Sequence, residues 1–464
     1  PGDIARLAMA VAGALDADAP APEDIGDDVQ ALADEIASAL REAERPVVIS
    51  GTGCGSPSVM RAAANVAWAL QGAGVDAALS YALPEANSMG VAMLGGADLE
   101  AAREKLAEGQ ADTLIILEND LYRRAEPDFV DDLLRTATRV VALDYLPTAT
   151  TERADLVLPA ATFAEGDGTL VNQEGRAQRY LQVFVPEETA QADGRPILGV
   201  RESWRWLQDM MTEEDGEQSW QDLHDVLAAL AEDEPGLAAV IDLTPPAEFR
   251  LVEQKVPRQP HRYSGRTAMR AHINVSEPKP PEDADAPMNF SMEGFKGQPP
   301  GSLLPRYWAP GWNSVQALNK FQQEVGGPLR GGDPGVRLIE PTEDAAHSYF
   351  GPAPESFSAR EGQLLLTPLY HIYGSEELSP LTPAVAELSA TPYVALNSAE
   401  AERLQLAEGD LVSVELGAET MTLPLHINPS LPAGVAGLPV GLPEMPYVKL
   451  PGWGRVSPGE GGQT

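Results

Sequence analysis

Residues 154–179, ADLVLPAATFAEGDGTLVNQEGRAQR, compress three devices into one span. Residues 155–158 run into Pro159 and read as the end of a buried strand. Gly166-Asp167-Gly168 and Glu174-Gly175 are turn signals on either side of a short strand over 169–172. From Ala177 the run AQRYLQVFV alternates well enough to be a further strand.

Upstream of this span, residues 1–160 repeat a strand–helix rhythm. Apolar strands are predicted at 46–50, 75–79, 113–117, 139–143 and 156–158, and helices at 57–70, 99–107 and 128–136. Ser56 is placed as N-cap and Pro57 at the first helical position. Two further helices, 3–15 and 28–40, lead in. Continuous apolar strands alternating with helices imply a parallel sheet covered on both faces. The fold class is therefore α/β, with a Rossmann-like doubly wound parallel sheet.

Downstream the texture changes. Helical spacing is visible at 204–211 and 220–230, and then twelve prolines fall between Pro245 and Pro310. Aromatic residues through the same region (Phe249, Tyr263, Phe290, Phe295, Tyr307, Trp308, Trp312 and Phe321) argue for an extended wrap ordered by packing, with a short helix at 313–325. Residues 362–445 read as a β-rich unit, with strands at 364–366, 393–396, 411–416 and 419–425 and a helix at 398–404 capped by Asn397.

The formal net charge is −38, from 70 acidic residues against 32 basic ones, of which six are Lys. Such a surface repels nucleic acid and anionic lipid. It serves solubility or, alternatively, adaptation to high salt. A membrane helix needs ~20 consecutive apolar residues, and no stretch approaches that. No signal peptide is visible, and the absence of an initial Met reads as a fragment or a processed chain. The single cysteine, Cys54, can neither close an intrachain disulfide nor supply a cluster that needs four thiolates. It sits in Gly51-Thr52-Gly53-Cys54-Gly55-Ser56, which misses the dinucleotide pattern G-x-G-x-x-G and reads as a strand-to-helix turn. The histidines (His224, His261, His272, His347, His371 and His426) show no i, i+3 or i+4 metal spacing. The run KVPRQPHRYSGRTAMR, from Lys255 to Arg270, holds five positive charges and no acid. It is either a docking patch for an acidic neighbour or a partner for the chain's own carboxylates.

The span at 154–179 resembles a signature of the molybdopterin oxidoreductase superfamily, at the point where the chain crosses between Rossmann-like domains. Phe163-Ala164-Glu165 before GDGT, NQEGRAQR after it, and HRYSGRTAMRA, WAPGWNS, SWRWL and GDPGVRL elsewhere are most similar to one branch. That branch is the G-subunit family of bacterial NADH-quinone oxidoreductase (respiratory complex I), proteobacterial type, in its C-terminal half. NSAEAERLQLAEGDLVSVEL and LPAGVAGLPVG resemble the superfamily's C-terminal double-psi β-barrel. The resemblance implies a Rossmann-like domain over 1–190 with its crossover at 154–190. It also implies a family-specific insert over 191–360 and a molybdopterin-dinucleotide-binding-like barrel over 361–464.

Cofactor-bearing relatives place Gly-Arg after the first barrel strand. Here Thr367 and Pro368 stand there, and Glu376 and Glu377 fall near where the pyrophosphate would lie. Like charges ~4 Å apart repel by on the order of 4 kcal/mol at an effective dielectric near 20. The expectation is therefore a cofactor-free scaffold, with no catalytic, cofactor-binding or metal residue in this segment. The resemblance puts iron–sulfur clusters in an absent N-terminal part. It implies as partners that iron–sulfur domain and other subunits of the peripheral arm, at the cytoplasmic face of the bacterial inner membrane. Asn172, Glu174, Gly175 and Arg176 are expected to hold the crossing chain. A catalytic molybdenum or tungsten oxidoreductase is the alternative, and a free-standing binding module that uses residues 255–270 is a third possibility.

Overall fold

The computed structural model describes residues 1–183, 199–215, 220–243, 335–340 and 348–459. The basic run 255–270, the helix expected at 313–325, the Pro-rich wrap and His261, His272 and His347 lie outside the described residues.

Helices α1 (Gly2–Leu15) and α2 (Asp27–Glu42) precede strand β1 (Val47–Gly51), and α3 (Pro57–Gly72) leads to β2 (Ala78–Ala82). Small residues let α1, α2 and α3 approach closely: Ala5, Ala12, Ala33, Ala62 and Ala69 are fully buried. β1 and β2 pair in parallel, Val47 opposite Ala78 and Gly51 opposite Ala82. Helices α4 (Ser88–Leu94) and α5 (Leu99–Ala107) follow, then β3 (Thr113–Leu117), α6 (Pro127–Thr136), β4 (Arg139–Asp144) and β5 (Leu156–Pro159). β3, β4 and β5 form a second parallel sheet in that order. One face packs on α6 through Val130, Leu133 and Leu134.

Two departures from the sequence expectation appear here. The parallel strands form a two-stranded and a three-stranded sheet rather than one continuous sheet. The strand expected at 75–79 begins three residues later, because Val75 belongs to the end of α3. The Val75 amide donates to the Leu70 carbonyl (3.0 Å) and Gly74, at φ 77°, donates to Gln71 (2.9 Å). That is a Schellman closure with an apolar residue after the left-handed glycine.

The crossover strands β6 (Gly168–Val171) and β7 (Arg176–Tyr180) form a hairpin joined by β8 (Val336–Arg337). Between β7 and β8 come α7 (Ser203–Asp215) and α8 (Leu223–Asp233). Trp206 of α7 covers Leu143 and Leu158 on the other face of the three-stranded sheet, and its indole donates to the Pro159 carbonyl at 2.9 Å. The chain then returns past α1 and α3. Asn65, fully buried, exchanges two hydrogen bonds with the Phe350 backbone (2.8 and 2.9 Å). Arg6 donates to the Pro354 carbonyl at 2.9 Å.

The C-terminal unit comprises β9 (Leu364–Leu369), α9 (Pro383–Ala386), β10 (Val394–Leu396), α10 (Ser398–Leu404), β11 (Leu411–Leu416), β12 (Glu419–Ile427), β13 (Val435–Pro439) and β14 (Gly452–Pro458). The six strands close into a barrel in the order β10-β12-β11-β14-β9-β13. Alternate residues point inward, and Leu366, Val394, Leu396, Val412, Val414, Ala436 and Leu438 are fully buried. Each large aliphatic side chain so buried contributes about 1.5–3 kcal/mol. Asn397 caps α10, its side-chain oxygen accepting from the Glu400 amide at 2.7 Å. Thr367 and Pro368 are not in a loop after the first barrel strand. They lie within β9, opposite Gly437 and Leu438 of β13. β14 pairs with β9 only at Leu364–Leu366, so the missing Pro368 N–H faces an unpaired edge, where proline is tolerated.

Candidate functional site

Parallel α/β sheets expose backbone and loop residues at the carboxyl ends of their strands, and sites form there. β3 ends into Glu118, which takes φ 47° while its amide donates to the Leu143 carbonyl of β4 at 2.7 Å. β4 ends in Asp144, which is buried and accepts from the Leu146 amide at 3.0 Å. Asp120 accepts from the Thr150 hydroxyl at 2.7 Å, and that hydroxyl in turn accepts from the Leu121 amide at 2.8 Å. The barrel loop after β9 brings Glu377 into the same field.

Desolvation dominates the electrostatics of this rim. Glu118 keeps contact with solvent, yet the protein around it displaces enough water to push its carboxyl up. A hydrogen bond from Ser203 opposes that rise, and Asp144 reinforces it. Burial also raises Asp144, against its backbone hydrogen bonds and with the help of Asp120. Glu377 is raised by burial, against the nearby Arg123 and with Asp144 and Asp120 adding to it. Burial likewise raises Tyr145 and Tyr180, and both feel Glu118. This rim holds carboxylates whose charged forms are disfavoured. A polyanion placed beside them would disfavour those charged forms further, an unfavourable coupling to its binding.

Glu376 behaves differently from its neighbour. Although desolvation opposes it, hydrogen bonds from the Leu378 and Ser379 amides (2.7 Å each) and the charge of Arg123 hold its carboxyl below the usual range. It closes its own loop. Adjacent in sequence, Glu376 and Glu377 suggest one pair of like charges, but the structure gives them separate tasks.

A cavity of about 640 Å3 lies elsewhere between the α/β part and the barrel, with Cys54, Phe357, Arg360, Thr367, Pro368 and Trp453 among its lining. Gly55, at φ 57°, lies against the barrel: a Cβ there would meet the Leu450 carbonyl at 2.6 Å. The glycine-rich turn is thus a packing device. On the barrel, His371 and His426 both approach the Tyr393 ring, with centroids 5.7 and 5.4 Å away. His371 shares a hydrogen bond with the Tyr393 hydroxyl (3.1 Å) and His426 with Glu408 (3.0 Å). Their sequence spacing gave no sign of this cluster. Among the described residues no three His, Cys, Asp or Glu side chains are arranged to hold a metal ion, and no helix is long and apolar enough to cross a membrane.

The crossover is held as its sequence implied. The Asn172 side-chain oxygen accepts from the Glu174 amide (3.0 Å) and the Arg176 amide (3.1 Å). Gly175 takes φ 70°, and its carbonyl accepts from Leu338 at 2.7 Å. Arg176 donates to the Gly335 carbonyl at 3.3 Å and pairs with Glu174 at 3.4 Å.

Parallel sheets, crossover hairpin and closed barrel together have the make-up of the molybdopterin oxidoreductase class, and the molybdopterin oxidoreductase family model matches residues 16–194. The particular branch follows from close relatives. The G subunit of NADH-quinone oxidoreductase from Pseudomonas fluorescens is 48% identical over 448 residues, which is 96% of this chain and 49% of that one. Its counterparts in Salmonella typhimurium (48% identical, 95% of this chain, 48% of that one) and Escherichia coli K12 (46%, 95% and 48%) agree. The chain belongs to the family of NADH-quinone oxidoreductase G subunits, and it spans about half the length of the curated relatives it matches. Among solved structures, acetylene hydratase from Pelobacter acetylenicus is similar at a TM-score of 0.38 and 13% identity, over 75% of this chain and 40% of that one.

Proposed function

We propose that this chain is the structural, non-redox half of a subunit of a respiratory NADH:quinone oxidoreductase, with the electron-carrying clusters in the other half. The observation that carries this reading is the rim formed by Glu118, Asp144 and Glu377. The surrounding protein desolvates these carboxyls and disfavours their charged forms. They stand where an α/β fold of this class would present a ligand. A pterin dinucleotide is a polyanion, and this residue set does not fit it. The barrel strand offers no cation to offset this, since Thr367 and Pro368 are both uncharged.

On this reading the α/β part is Rossmann-like and the barrel is of the double-psi type. Parallel βαβ units support the first, and a six-stranded barrel mixing parallel and antiparallel pairs supports the second. The partners are the cluster-bearing half of the same polypeptide and other subunits of a peripheral arm, on the cytoplasmic face of the inner membrane. The task is to bury and orient the cluster-bearing part.

The test is metal and pterin analysis of the full-length subunit purified within its complex. Molybdenum and tungsten below a tenth of an equivalent, with no pterin fluorescence after oxidative release, are expected. One equivalent of either metal with pterin overturns the reading and favours a catalytic molybdenum or tungsten oxidoreductase.

A further inference from the structure

The barrel loop over residues 370–388 has its polarity inside out. Its polar groups go into closing the loop and tying it down. The His371 amide donates to the Ser375 hydroxyl at 2.9 Å, and the His371 ring shares its hydrogen bond with Tyr393. Glu376 accepts from the Leu378 and Ser379 amides, and the Ser375 carbonyl accepts from Arg123 at 3.3 Å. The Thr382 carbonyl accepts from the Val385 and Ala386 amides (2.9 and 2.8 Å) and starts α9. The loop is therefore held in place, and what it turns outward is apolar. Ile372 is 87% exposed, Leu381 62%, Tyr370 61% and Leu388 60%, and Tyr373 and Leu378 are exposed beside them.

Single exposed apolar side chains are ordinary, but a group of them on one short, tethered loop marks an interaction site. Two of the group are tyrosines, a residue type enriched in interface cores. The charges around them have one sign. No lysine or arginine lies between Arg360 and Arg403, while Glu376, Glu377 and Glu387 fall within the loop. A surface that is apolar and acidic, with no base, is complementary to an apolar segment that carries bases. Because the loop is already held, little conformational entropy is lost when a partner settles on it.

We infer that the 370–388 loop is a docking surface for another subunit, and that the segment it receives is apolar and flanked by lysine or arginine. This rests on reading the chain as one subunit of a larger complex. Charge selects the occupant. A second copy would bring together two molecules of net charge −38, and an anionic lipid surface is repelled in the same way. Position favours a separate polypeptide. A side chain as exposed as Ile372 is scarcely covered by its own chain and is presented outward, to whatever arrives from outside. Ile372 and Leu381 supply the apolar anchor, and Glu387, next to Leu388, supplies the charge that steers a base toward it.

The experiment uses the full-length subunit within its assembled complex, with the photoreactive residue p-benzoylphenylalanine in place of Ile372. After irradiation and proteolysis, mass spectrometry is expected to find position 372 joined to a peptide of a different subunit, with lysine or arginine close to the crosslinked site. A crosslink within the same polypeptide (residues 255–270 included), to a second copy or to a segment without a nearby base overturns the inference, as does no crosslink. Exchange of labelled subunit out of the complex gives a second reading. Ile372→Asp is expected to leave the Tm of the isolated full-length subunit within about 1 °C of the parent and to speed its release from the complex by about tenfold or more. Glu387→Gln is expected to speed release less and to weaken its dependence on salt. An unchanged rate in Ile372→Asp counts against the docking surface, and an unchanged salt dependence in Glu387→Gln counts against a basic partner. None of these readouts depends on metal content, so a molybdenum-bearing subunit that shows this crosslink would defeat the scaffold reading and leave the docking surface standing.

Discussion

Asp144 closes β4 with a buried carboxyl that accepts one backbone amide at 3.0 Å. Burial raises its pKa, with Asp120 adding to the rise. The native state therefore holds the proton more tightly than the unfolded chain does. The stability gained from that proton is present at low pH and is lost as pH rises through the folded-state pKa. Asp144→Asn keeps an oxygen that can accept from Leu146 and removes the charge. The variant is expected to melt on the order of 2 °C higher than the parent at pH 8. The gap should close near pH 4, where the unfolded carboxyl itself is about half protonated. Thermal scans across that range check it, and a gap independent of pH would sink the electrostatic account. Of this rim only Glu377 was legible in the sequence, through its place in the loop after the first barrel strand. Glu118 and Asp144 look like two more acids among 70 until the fold brings them to one edge with it.

At the scale of elements, punctuation decides what a sequence reveals. The helix at 99–107 and the strands at 113–117 and 411–416 match the structure residue for residue. Asp98 caps the helix by accepting from the Ala101 amide at 3.0 Å. Val75 misled because an apolar residue after Gly74 can close a helix as well as open a strand. Sheet partition and the extent of β9 depend on pairing between distant segments, which no local pattern encodes. The crossover hairpin was legible because its turn chemistry is local. Gly175 carries it: at φ 70°, a Cβ there would meet the Ile339 Cβ at 2.6 Å. Gly175→Ala is expected to destabilise the protein by about 1–3 kcal/mol through strain and overlap. Urea denaturation of the full-length protein measures the loss. Ile339→Ala in the same background should recover part of it by removing the overlap with Cγ1 and Cδ1, while leaving the contact with Cβ and the φ strain.

For the whole molecule, the question is what joins the α/β part to the barrel across an acidic rim. Arg123 does so directly, donating to the carbonyls of Gly441 and Ser375 at 3.3 Å each. Its charge also lies close enough to Glu377 to oppose the burial-driven rise there. The guanidinium thus has two tasks, bridging two backbones and offsetting the negative charge of the rim, and a double-mutant cycle separates them. Arg123→Met keeps the aliphatic stem and removes both, and it is expected to cost about 1.5–3 kcal/mol, the range for hydrogen bonds to a charged group. Glu377→Gln removes the carboxylate alone and relieves repulsion from Asp144 and Asp120, so it should be neutral or slightly stabilising at pH 7. If Arg123 also neutralises the rim, its removal must hurt less once Glu377 is uncharged. The coupling energy in Arg123→Met/Glu377→Gln is then expected to reach about 0.5–1 kcal/mol. It should shrink as pH falls and Glu377 takes up its proton. A cycle that closes to zero at pH 7 would leave Arg123 as a bridge between backbones and remove charge balance from its role.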